Sequence, residues 1–160
     1  MARIISKRKG GASSASSRAS KGAAKPGTSR AARPRPKPQA GTASQELARR
    51  VARLALTKKA FDVVIMDMRE LSAATDFFVL ASGATEIQVR AIVRAIEDGL
   101  RAAKVRPYHV EGLGHARWAL LDYIDVVAHV MQPKVRDYYG LQELWADAPT
   151  EEAGSELGSA

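Results

Sequence analysis

The stretch Arg117–Met131, RWALLDYIDVVAHVM, constrains this chain more than any other part of it. It predicts two strands joined by a tight turn: Trp118 to Asp122, a bend at Tyr123 and Ile124, then Asp125 to Met131. Side chains alternate faces along a strand. Trp118, Leu120 and Asp122 therefore share one face, and Ala119, Leu121 and Tyr123 share the other. In the second strand Val127, His129 and Met131 oppose Val126, Ala128 and Val130. Both faces are largely apolar, whereas a hairpin with one wet face alternates apolar and polar residues more cleanly. Each face must be covered. Helices of the same chain can cover one, and the other needs further helices or a partner.

The flanking sequence supplies those helices. Thr42 and Gln45 have capping-box spacing, and Leu47, Val51, Leu54 and Ala55 form one apolar stripe of a helix ending near Lys59. Asp62–Met68 is a β-branched run that predicts a strand, and residues 69–75 a loop. Asp76–Ser82 is apolar on both faces and predicts a central strand. A second capping box, Thr85 with Gln88, opens a helix with Ile87, Ile92, Ile96 and Leu100 on its core stripe. Pro107 precedes a short strand, Tyr108 to Glu111, and Gly112 and Gly114 mark the turn into the hairpin. Pro133 suits the first position of a helix carrying Val135, Tyr138 and Tyr139. Gly140 then resets the chain before a segment from Leu141 to Trp145. The order α-β-β-α-β-β-β-α predicts an α/β fold, a single small domain with a mixed sheet of about five strands packed by helices.

Charge divides the chain. Residues 1–43 hold 11 Lys and Arg and no Asp or Glu, whereas residues 44–160 hold 14 basic and 17 acidic residues. The net charge of +8 therefore belongs to the leader and not to the domain. Residues 1–43 are a low-complexity basic tail, expected to be disordered with a stiffer Pro-rich end. They read either as a solubilising linker or as an electrostatic arm for phosphate backbones. Lacking aromatics to stack on bases, such an arm would make only weak, nonspecific RNA contact. Residues 44–146 form the domain, and residues 147–160 are expected to be a flexible acidic tail. The chain has no cysteine, which excludes disulfides, Cys-ligated zinc and thiol catalysis. No apolar run approaches the roughly 20 residues that span a bilayer, so no membrane role is expected and a cytoplasmic location is. The Arg- and Ser-rich start also resembles an organelle transit peptide, although its alternating prolines would not form an amphipathic helix.

Three kinds of chemistry compete. A nucleotidyltransferase-type enzyme would use the Ser82-Gly83-Ala84-Thr85 turn for phosphate, but the chain has no GxGxxG or P-loop pattern. Metal-dependent transfer needs paired carboxylates. Asp122 and Asp125 flank a turn, where acids act more often as turn formers. His109, His115 and His129 show no i,i+4 pairing, and no metal ligand set or catalytic group emerges. A tail-driven nucleic-acid-binding module is the second alternative. Recognition is the third reading. Six of the nine Trp, Tyr and Phe residues lie between 108 and 145, and Trp and Tyr dominate interface hot spots. Tyr139 and Trp145 also suit a core, whereas Trp118 leans towards an interface.

The motifs TDFFV at 75–79, ASG at 81–83, Gln88-Val89, Glu111-Gly112, WALLDY at 118–123, DVVAHV at 125–130 and RDYYGL at 136–141, closing on Leu144-Trp145, resemble the Iojap-related family of ribosomal silencing factors in order and spacing. The resemblance runs from about Gln45 to Ala146. It implies a fold similar to nucleotidyltransferases without their active site, no enzymatic activity and no cofactor. It implies binding to the large ribosomal subunit through ribosomal protein fourteen at the intersubunit face, a steric block to joining of the small subunit, and repression of translation when nutrients are scarce. Homodimers are also implied. Carried onto this chain, the contact positions are Trp118, Leu120, Asp122, Tyr123, Asp125 and His129, with Arg136 and Tyr139 as weaker candidates. The family often has Gly where this chain has Ile124. A β-branched residue resists positive φ, so a turn of a different type is expected. Many members have Val where this chain has Ala128.

Overall fold

The structure is a computed structural model and describes residues 43–154. The basic leader, including the capping position Thr42, and residues 155–160 lie outside the described residues. In chain order the elements are α1 (Ala43–Leu56), β1 (Phe61–Asp67), β2 (Phe77–Ser82), α2 (Glu86–Arg101), β3 (His109–Glu111), β4 (Trp118–Asp122), β5 (Val126–Met131), α3 (Pro133–Tyr139), α4 (Leu141–Leu144) and β6 (Thr150–Glu152). They build the expected α/β domain around one mixed sheet of order β3-β4-β5-β2-β1-β6. Only β2 and β5 pair in parallel, with Leu80 opposite His129. The four other pairings are antiparallel.

Both long helices pack on one face of the sheet. α1 buries Ala48, Val51, Ala52 and Ala55, and α2 buries Val89, Ile92, Val93, Ile96 and Leu100. These positions recur at helical spacing. They meet Val63, Ile65, Phe77, Val79, Ala119, Leu121, Val126 and Val130 from alternate positions of the central strands. Each of the Val, Ile, Leu and Phe side chains among them contributes roughly 1.5–3 kcal/mol on burial. Ile87 departs from its expected place in the core stripe: it lies in the first turn of α2, 79% exposed, and Val89 and Val93 take the inward positions.

The start of α2 follows the expected cap with one shift. Thr85 Oγ1 accepts the Gln88 N–H at 3.1 Å, while Gln88 Oε1 accepts from Ala84 instead of from Thr85 itself. The same Gln88 side chain donates to the Lys58 and Lys59 carbonyls at the end of α1, so one residue fastens two helix ends. Gly140, at φ 52°, closes α3, and its N–H donates to Arg136 O at 3.0 Å.

Two expectations are corrected. The segment 147–160 was expected to be a flexible tail, yet its Thr150–Glu152 portion is β6, antiparallel to β1. Buried Ala148 and Ala153 anchor it on either side, and Arg49 pairs with Glu151 at 3.3 Å. The hairpin turn was expected to avoid positive φ at Ile124, yet Ile124 sits at φ 71°. The Asp125 N–H donates to Tyr123 O at 2.9 Å, the Tyr123 N–H to Val126 O at 2.8 Å, and the Ile124 N–H to Asp122 Oδ1 at 2.7 Å. Three bonds within five residues outweigh the steric penalty of about 1–3 kcal/mol for a strained residue.

Candidate functional site

The second face of the sheet is covered only in part. α3 and α4 cross it and enclose a smaller cluster of Val64, Met66, Met68, Leu80 and Met131, with Phe78, Trp118, Val135, Leu141 and Trp145 packed at its margin. Beyond that margin Leu120, Val127 and Asp122 are half-buried. A mainly apolar cleft continues past them, lined by Thr75, Phe78, Tyr108, Asp122, Ile124 and Val127. This face is where the hairpin's second apolar side meets solvent.

Aromatic rings run in series across the margin. Tyr138 stacks edge-on to Tyr139, with ring centres 5.1 Å apart; Tyr139 lies 4.8 Å from Trp118; Trp118 lies 5.8 Å from His129; and His129 meets Phe78 edge-on at 5.0 Å. The strand parity explains half of this, since Trp118 and Leu120 share a face of β4 and pair with Met131 and His129 of β5. The rest is supplied by α3, which brings Tyr139 over Trp118. Tyr138 and Tyr139 are 83% and 54% exposed.

His129 is 5% exposed. Trp118 Nε1 donates to its Nδ1 at 3.1 Å. An indole N–H can only donate, so Nδ1 must be the acceptor and the proton sits on Nε2. Nε2 makes no hydrogen bond among the described residues. Burial pulls the histidine pKa down to about 4, so the ring is neutral near pH 7 and holds the indole in place. Asp122 caps the turn through Ile124 N–H, and Asp125 O accepts from both Asp76 and Phe77, seating β2 against the hairpin.

The sequence-derived contact residues thus separate into groups. Trp118, Leu120, Asp122 and Tyr139 lie together on the open face, and Asp125 borders the same turn. Tyr123 is buried against α1 and α2. Its hydroxyl makes no hydrogen bond among the described residues, and burial, reinforced by Glu97, raises its pKa. Arg136 points inward: its Nη1 donates to Asp62 O at 2.6 Å and Ser82 Oγ at 2.8 Å, and its Nη2 to Gln142 Oε1 at 2.7 Å. Burial lowers its pKa, and the charges of Asp62, Asp137 and Glu143 oppose that. Phe78, Tyr108, Ile124 and Val127 join the open face although the sequence reading did not single them out. Phe78 could have been found only by knowing that β2 pairs with β5.

The turn considered for phosphate is already occupied. Ser82 Oγ accepts from Arg136, the Gly83 N–H donates to Met131 O, and the Ala84 N–H donates to Gln88. Two of the turn's backbone donors, those of Gly83 and Ala84, thus serve the fold.

A family model described as "Ribosomal silencing factor during starvation" matches residues 41–159. A ribosomal silencing factor of Halalkalibacterium halodurans is 38% identical over 110 residues, covering 69% of this chain and 94% of the relative. One of Bacillus subtilis is 40% identical over 92 residues, covering 58% of this chain and 78% of the relative. A crystal structure of a Chromobacterium violaceum protein superposes with a TM-score of 0.64 at 31% identity, covering 66% of this chain and 88% of that one.

Proposed function

This chain belongs to the ribosomal silencing factor family, non-enzymatic regulators that associate with the large ribosomal subunit, and from that premise we propose that its half-covered sheet face is the ribosome-binding surface. The face binds ribosomal protein fourteen of the large subunit, and the bulk of the domain then blocks joining of the small subunit. Translation is repressed under nutrient limitation as a result. The protein acts in the cytoplasm. No helix among the described residues is long and apolar enough to cross a membrane.

One observation carries this reading. Trp118 and Leu120 sit half-buried on a sheet face that the chain's own helices leave open. Half-buried aromatics with a fixed rotamer suit an interface anchor, because little side-chain freedom is lost on docking. Asp122 and Asp125 place negative charge beside the apolar centre, which favours a basic partner and speeds encounter.

The test is subunit joining. Purified large and small subunits are mixed at joining magnesium with the full chain or with Trp118→Ala, then separated on a sucrose gradient. The full chain should migrate with large subunits and deplete the joined peak. Trp118→Ala should remain folded and bind about thirtyfold more weakly, the effect of losing a hot spot of about 2 kcal/mol. An unchanged joined peak with the full chain would overturn the proposal.

A further inference from the structure

The helical layer and the rest of the domain differ in charge, and the proposed silencing surface makes no use of the helical layer. In α1, α2 and the turns after them, residues 43–59 and 86–106, Lys and Arg outnumber Asp and Glu ten to four. In the remaining described residues they are outnumbered four to twelve. The two helices and the turns after them carry the excess of cations, and the strands, loops and short helices carry the excess of acids, one of which, Glu151, pairs with Arg49 of α1.

The cations are also placed to be used. α1 and α2 lie antiparallel: Arg50 Nη2 reaches Gly99 O at 3.4 Å, while Gln88 reaches Lys58 O at 3.2 Å at the other end. Arg50 and Arg53 occupy the side of α1 opposite its buried residues, and Arg94 the corresponding side of α2. Nearby pairs neutralise Arg90 with Glu86 and Arg101 with Asp98. Arg53, Lys58, Arg94 and Lys104 are exposed and form no ion pair among the described residues. In sequence, residues 1–43 precede this layer and carry 11 cations with no acid.

We propose that the outer surface of the α1–α2 layer, on the opposite side of the sheet from Trp118, is a docking surface for the sugar-phosphate backbone of RNA. The choice of RNA over another polyanion rests on the ribosome-binding reading. The existence of the surface rests on the charge partition alone. The contact is sequence-independent, because Arg and Lys that grip phosphates read no base edges, and it lacks stacking, because residues 43–59 and 86–106 hold no Trp, Tyr or Phe. Arginines on a rigid helix pair can grip phosphates at fixed spacing without the ordering cost that a flexible segment carries.

The probe is a fluorescein-labelled RNA duplex of about 20 base pairs and mixed sequence, titrated with full-length protein at several salt concentrations. The variants are the triple Arg53→Gln/Arg94→Gln/Lys104→Gln and, as a control from the acidic side, Lys134→Gln. All four positions are exposed, so thermal melts should match the parent, and single Arg94→Gln serves if the triple does not fold. The triple variant should bind about fivefold or more weakly, with the slope of log Kd against log salt reduced by about 2.7, as expected for three lost phosphate contacts on a duplex. Lys134→Gln should match the parent. An unchanged Kd and slope in the triple variant would sink the proposal and leave any RNA binding to the leader. Binding to vesicles containing anionic phospholipid without binding to the duplex would sink it equally. Failure here, with subunit joining still blocked, leaves the silencing reading intact. Failure of the joining assay with duplex binding retained removes the silencing reading and keeps the surface.

Discussion

Ile124 and His129 show how single residues hold the open face. Ile124 keeps φ 71° although it is β-branched, and its side chain is 53% exposed at the rim of the cleft. Ile124→Gly should relieve strain of about 1–3 kcal/mol against an added chain-entropy cost of about 0.5–1 kcal/mol. A net gain of about 1 kcal/mol in urea unfolding is expected. The same variant should bind large subunits more weakly, because an apolar side chain leaves the cleft. Higher stability with unchanged binding would show that the strain serves no contact. His129 makes a pH prediction. Its folded pKa is depressed to about 4 by burial, against about 6.5 in the unfolded chain. Between those values the unfolded chain binds a proton that the folded chain refuses. The contribution is therefore fully present above about pH 6.5 and is lost as pH falls towards 4. The slope in that window reaches at most about 1.4 kcal/mol per pH unit. His129→Gln should flatten it in urea titrations at stepped pH, and the near-ultraviolet signal of Trp118 should change with its lost acceptor.

At the scale of elements, the short helices and the last strand depend on partners distant in sequence. Arg136 ties α3 to the start of β1 and the end of β2 through Asp62 O and Ser82 Oγ. Arg136→Met should cost about 2–4 kcal/mol in urea unfolding, since three acceptors lose a charged donor. Lys should rescue only part of it, lacking the planar fork. Ending the chain after Pro149 should lower the melting temperature and cause concentration-dependent association visible by light scattering, because β1 becomes an uncovered edge. What was legible at this scale follows periodicity. β4 was predicted residue for residue, and β5 to within one residue, because alternation over five or six apolar positions is a strong signal. The core stripe of α1 was legible in part: Val51 and Ala55 are buried, Leu47 and Leu54 pack half-buried against the core, and Ala48 and Ala52 take the other inward positions. β6 was not legible: Thr-Glu-Glu is short and polar, and it is a strand only because β1 offers an unpaired edge beside it. Ile87 was misplaced because apolar character in the first turn of α2 does not say whether a neighbour reaches it.

Across the described domain, the helical layer carries the excess of cations, and the half-open sheet face carries apolar side chains beside Asp122. A chain beginning at residue 43 should still bind large subunits through Trp118, with a shallower dependence on salt in the gradient assay, because the leader's cations add screened, long-range attraction and not the apolar contact. Loss of binding on removing the leader would place the affinity in the leader instead. The sequence by itself determined the α/β class, the two-sided apolar hairpin, the concentration of basic charge in residues 1–43, and the motif order that marks the family. Those are properties of neighbours along the chain, where period and spacing act. Only the tertiary structure decided that β2 lies parallel to β5 and brings Phe78 to His129, that Tyr139 folds over Trp118, that Tyr123 and Arg136 are turned inward, and that α3 and α4 stop short of covering the sheet. Each of these depends on which distant segments meet. That choice is made by competing burial and hydrogen bonding across the whole domain, and no local pattern encodes it.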